Sequence, residues 1–143
     1  LHPPLKFVIA SLFLLYGVSS FAQMDCILGI GGRDNETIAK VFELTEVQRE
    51  NLKNWSAELK VRNDILEDKA KFLMKKNEES SPEVLLAVSK KYATIMDSMR
   101  QNIRMMDKRL LSTFTKSQYD KYVKMCDQLT LRPIYINRSV NEN

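Results

Sequence analysis

Leu44-Thr45-Glu46-Val47-Gln48 decides how the chain is read, because it returns in character at Phe114-Thr115-Lys116-Ser117-Gln118. Each stretch is an apolar residue, a Thr, two variable residues and a Gln, and each stands just ahead of a helical pattern. A Thr at the N-cap accepts a hydrogen bond from a free backbone N–H of the first turn. A Gln three residues on reaches back to the N–H of the cap residue. Both stretches are therefore capping boxes, and the chain marks two helix starts with one device. Phe114 and Tyr119 flank the second cap at the spacing of a hydrophobic staple.

From the first box a helix is expected over 46–77. Leu52, Trp55, Leu59, Leu66 and Leu73 recur at steps of three, four and seven, Arg62 and Ala70 fill the seam between them, and Ile65 and Phe72 widen it. About 30 residues make a rod of roughly 45 Å, long for a domain of this size. Ser81-Pro82 ends the following turn and opens a second long helix over 82–112, since Pro costs nothing at the first helical position. Its stripe is Val84 or Leu85, Val88, Tyr92, Ile95, Met99, Ile103, Met106 and Leu110. The short loop makes the two helices an antiparallel hairpin.

The second box starts a helix over 116–129, with Tyr119, Val123, Cys126 and Leu129 on one face; Arg132-Pro133 stops it. Asp34 or Asn35 can cap a short helix over 35–43, with Ile38, Val41 and Phe42 facing the core. No stretch reads as a sheet. The expected fold is all-α: an elongated antiparallel helical hairpin with short flanking helices, three to four helices in all.

The ends read differently. Residues 1–22 have the layout of a secretory signal peptide: Lys6, an apolar run from Phe7 to Tyr16, and small residues at Ser20-Phe21-Ala22. The run is short for a membrane span, so no stable membrane insertion is expected after cleavage. Gln23-Met24-Asp25 before Cys26 do not suit a lipid-attachment box. Residues 23–33, with Gly29, Gly31 and Gly32, read as a flexible lead-in, because no strand precedes and no Lys-Ser/Thr follows the glycines as a phosphate loop requires. The helical domain spans 34–131, and 132–143 form an arm, with Ile134, Tyr135 and Ile136 able to dock, and a tail.

Without residues 1–22, which hold one Lys and no acid, the formal charge falls from +4 to +3, with both signs interspersed. A nucleic-acid binder would show a clustered basic stripe, so nucleic acid is not an expected partner. Cys26 and Cys126 are the two cysteines. In an exported chain they can pair and close a loop of about 100 residues, or remain two free thiols. The single histidine, His2, lies in the signal segment. A Cys nucleophile would lack its imidazole partner, and no enzyme chemistry is expected. Met96, Met99, Met105 and Met106 share a helix, with Met74 and Met125 elsewhere. Thioethers can hold Cu(I). Without His or a Cys pair nearby they read instead as packing and adaptable surface, and no cofactor or metal is assigned.

Arg100, Arg104 and Lys108 form an i,i+4 ladder near those methionines, and Arg62 and Lys69 lie near the stripe of the other long helix. Flexible Met, aliphatic groups and long cations together suit capture of partly unfolded chains; a helical core rimmed by snorkelling cations reads equally well. The candidate client set is Arg62, Lys69, Met96, Met99, Arg100, Ile103, Arg104, Met106 and Lys108.

Leu44, Thr45 and Gln48, then Phe114, Thr115 and Gln118, about 70 residues apart in an exported all-helical chain, resemble the LTxxQ-motif family of bacterial periplasmic proteins, the Spy/CpxP-like group. Phe114 replaces the usual Leu of the second box. The resemblance covers residues 44–129. It implies a thin, curved all-α homodimer in the periplasm with ATP-independent chaperone activity on unfolded or misfolded envelope proteins during envelope stress. The alternative it implies is an envelope-stress regulatory or structural protein with one folded partner, such as a sensor domain. Metal-binding relatives are less consistent with a mature chain that lacks His.

Overall fold

Thr45 and Thr115 cap their helices as the sequence predicts. In the computed structural model, which describes residues 23–32 and 34–137, each Thr Oγ1 accepts from the backbone N–H of the Gln three residues on, and each Gln Oε1 accepts from the N–H of its Thr. Among the described residues four helices follow in order: α1 Asn35–Val41, α2 Glu46–Lys76, α3 Pro82–Thr113 and α4 Lys116–Gln128. Ser81 caps α3, with Pro82 at the first helical position. The fold is all-α. Among the described residues the one pairing of extended backbone is an isolated parallel bridge between Asp25 and Arg132. The signal-peptide reading of 1–22 and the tail 138–143 lie outside the described residues.

α2 and α3 form the antiparallel hairpin. Polar links cross it along its length: Gln48 Nε2 donates to the Thr113 carbonyl at 2.9 Å, Glu58 Oε2 accepts from Arg109 at 2.7 Å, and Asn63 Oδ1 accepts from Asn102 at 3.0 Å. Asn63, rather than Arg62, thus occupies the seam; Arg62 turns to solvent and pairs with Glu58. Glu58 sits between two guanidiniums, Arg109 and Arg62, which hold its carboxyl below the ordinary range. Ile65 and Phe72 do not widen the seam toward the core either, and both are exposed.

The core is concentrated at one end of the hairpin. Leu52 and Leu59 of α2, with Met106, Leu110 and Leu111 of α3, meet Ile38 and Ala39 of α1 and Tyr122 of α4. Phe42 and Phe114 pack with ring centroids 5.0 Å apart. Toward the loop, only Ala70 and Val88 are buried. α1 and α4 end alike. The N–H of Leu44 bonds the carbonyl of Ala39, and that of Leu131 bonds Cys126, across left-handed residues Glu43 (φ 50°) and Thr130 (φ 57°). This closure usually employs Gly.

Residues 23–32 are not a free lead-in. Cys26 is disulfide-bonded to Cys126, with Cα atoms 5.7 Å apart, so the bridge left open by the sequence is formed. Cys26 N–H donates to the Arg132 carbonyl and Arg132 N–H to that of Met24, each at 2.8 Å. Asp25 pairs with both Arg132 and Arg104. Ile134 is buried in the same corner while Tyr135 stays exposed. Tyr122 Oη donates to the Cys26 carbonyl at 2.7 Å and accepts from the Ile134 N–H at 2.9 Å, so one buried hydroxyl clamps both arms. Burial raises the pKa of that hydroxyl.

Candidate functional site

The two capping boxes meet. Gln48 and Gln118 face one another across the core end, each Nε2 donating to the other's Oε1 at 2.8–2.9 Å. The second N–H of Gln48 reaches the Thr113 carbonyl at 2.9 Å, and that of Gln118 reaches Phe42 at 3.0 Å. An amide offers two donors and two acceptor lone pairs, and here every one is engaged. The motif residues therefore lock α2 to α4. Their role here is structural: Leu44, Gln48 and Phe114 are buried, Gln118 is half-buried, and only the capping Thr45 and Thr115 are exposed.

A second polar centre lies beneath the N-terminal arm. Asp107 on α3 is fully buried. Its Oδ2 accepts from the Leu28 N–H at 2.7 Å and its Oδ1 from the Ile30 N–H at 3.3 Å. Gly29 (φ 77°) and Gly31 (φ 81°) allow this wrap. A Cβ on Gly31 would meet Leu59 Cδ2 at 2.9 Å. The Gly-rich run thus cradles an anion after all, but the anion is the chain's own carboxylate. Burial pushes Asp107 up to about 6, against the backbone N–H groups of Leu28, Ile30 and Gly29 and the charge of Arg104, which favour ionisation. Sequence reading missed Asp107, whose partners lie 77–79 residues away.

Beyond the core end, the α2–α3 seam is open on both sides. One side is a groove of about 530 Å³ lined by Ala70 and Met74 of α2 and Tyr92, Met96 and Met99 of α3, with the Glu67–Lys71 ion pair along its edge. The other is a groove of about 330 Å³ lined by Lys69, Phe72 and Leu73 of α2 and Lys91, Thr94 and Ile95 of α3. Large apolar side chains stay exposed around them: Phe72 is 68% exposed, Met74 52% and Leu86 61%.

The structure does not gather the candidate client residues into one surface. Met96 and Met99 line the first groove, and Lys69 borders the second. Met106 is fully buried and Ile103 packs against the core, so neither meets a partner as the chain stands. Arg100 pairs with Asp97, and Arg104 with Asp25, where it helps hold the arm. Lys108 lines a separate depression with Arg104, Met105 and Arg109. The i,i+4 ladder is thus divided between tasks. Met74 and Tyr92, which the ladder did not include, complete the methionine groove. Among the described residues no group of three or more His, Cys, Asp or Glu side chains is placed to hold a metal ion, and no helix is long and apolar enough to cross a membrane. Comparison with protein-family models, with curated proteins and with solved structures finds no match.

Proposed function

We propose that this is an ATP-independent holdase of the bacterial envelope, without enzymatic activity, that captures non-native chains in the methionine groove of its hairpin. The observation that carries the reading is the division of the molecule. One end is closed by the core, the paired capping boxes and a disulfide; the other exposes Met74, Tyr92, Met96 and Met99 along an uncovered seam. Unbranched thioethers adapt to varied apolar partners. The Glu67–Lys71 pair and the Asp97–Arg100 pair supply charge of both signs beside the groove. The paired Leu44-Thr45/Gln48 and Phe114-Thr115/Gln118 boxes support the resemblance to the LTxxQ-motif family, and with it periplasmic residence and a homodimer. The same open seam gives a second copy a face to cover.

Light scattering of two unrelated, chemically unfolding proteins, with stoichiometric protein and no nucleotide, tests this. Suppression of both aggregation reactions is the expected result. A folded, helical protein that suppresses neither refutes the holdase reading and leaves the alternative, a regulator with one folded partner.

A further inference from the structure

The exposed apolar residues of α2 do not all belong to the seam. Val61, Ile65 and Phe72 are 61%, 53% and 68% exposed. At about 100° per residue they share one stripe on the outer side of the helix. With Asp68 they complete a 61–65–68–72 spacing of four, three and four, the seam of a helix-packing face, with a carboxylate in the third place. Phe72 also lines the groove that Lys69 and Lys91 border. Neither lysine has an ion-pair partner among the described residues.

Charge decides what can cover this stripe. A second copy packed parallel would set Asp68 on its own counterpart. A second copy packed antiparallel would bring Lys69 against the flank of its partner that carries Arg62 and Lys69, where only Arg62 is balanced, by Glu58, and like charges meet. An anionic lipid surface would repel Asp68, which stands inside the stripe rather than at its far edge. The geometry points to an amphipathic helix of another protein, docked along Val61, Ile65 and Phe72. That helix is acidic on the flank facing Lys69 and Lys91 and carries a Lys or Arg opposite Asp68. It lies on the other side of the seam from the methionine groove, so this inference does not rest on the holdase reading.

The test uses the disulfide-bonded protein and a labelled helical peptide of about five turns. Its seam is Leu, with one Arg placed to meet Asp68 and a Glu flank; a second peptide replaces the Glu flank with Lys. Fluorescence anisotropy is expected to show the Glu-flanked peptide binding about tenfold more tightly, since the exchange turns attraction into repulsion at both Lys69 and Lys91. A Lys69→Glu/Lys91→Glu variant is expected to reverse that order. Phe72→Ser is expected to abolish binding with helicity and aggregation suppression unchanged, because Phe72 is solvent-exposed and outside the methionine groove. Equal affinity for the two peptides overturns the proposal. So does binding that Phe72→Ser leaves intact, self-association lost in Phe72→Ser, or Phe72-dependent adsorption to anionic vesicles without peptide binding.

Discussion

Replacing Gln48 by Ala removes more than a cap. Its Oε1 leaves the Thr45 N–H and one Gln118 N–H without an acceptor, and its Nε2 leaves the Thr113 carbonyl without a donor and Gln118 Oε1 with the Thr115 N–H alone. Loss of the cap interaction costs about 1 kcal/mol. Each polar group stranded at this buried site adds about 1 kcal/mol or more. The sum for Gln48→Ala is roughly 3 kcal/mol, and Gln118→Ala is similar because it strands the Phe42 carbonyl in turn. The two substitutions share the amide pair, so the double variant should cost about 1–2 kcal/mol less than the sum of the singles. Urea unfolding followed by circular dichroism reads this directly. With a slope of roughly 1.5 kcal/mol per M, each single variant lowers the midpoint by about 2 M. Additive costs, or single costs below about 0.5 kcal/mol, would show that the two boxes act as separate caps and that the paired amides do not join the helices.

Other perturbations probe other parts. Asp107 has a folded value of about 6 against an ordinary 3.8, so the folded chain holds the proton more tightly than the unfolded one. Its contribution to stability is fully present below pH ~4 and falls by roughly 3 kcal/mol as pH rises through ~6. Urea midpoints from pH 4 to 7 should show that slope, and Asp107→Asn should remove it. A Cys26→Ser/Cys126→Ser variant opens a loop with a sequence separation of 100; up to about 4–5 kcal/mol of stability is lost, read as a fall in urea midpoint. Thr130→Gly should raise stability by about 1 kcal/mol in thermal unfolding, because a β-branched residue is held at φ 57° where Gly carries no penalty. Met96→Ser/Met99→Ser should at least halve aggregation suppression at fixed stoichiometry, with circular dichroism unchanged, since both side chains line the open groove.

The helices were legible because their signals are local. Thr-x-x-Gln and Ser-Pro mark starts within four residues, and the long stripes repeat every turn; the observed boundaries fall within about two residues of expectation. What the pattern could not decide was direction around the helix. Arg62 and Asn63 are neighbours, and only the packing of α3, through Asn102, places Asn63 inside. Ile65 counts as a stripe residue by period yet stays exposed, and Phe72 reaches only the rim of the open seam, because two helices cover only one side of each other. The arm 23–32 read as loose because its anchors are remote: Asp107, Tyr122 and Cys126 are far along the chain, and no local period reveals a long-range hydrogen bond. The same limit split the client set. Met96 and Met106 are both methionines on one helix, and only where the core stops separates a groove residue from a buried one.

The most direct measurement is photocrosslinking to an unfolding client from a photoreactive amino acid placed at Met96, with Lys116 on the exposed start of α4 as the control position. Capture in the methionine groove predicts a client adduct from position 96, lost when the client is refolded, and none from position 116. Adducts of equal yield from both positions, or none from 96 while aggregation is suppressed, would contradict it and place the holding surface elsewhere.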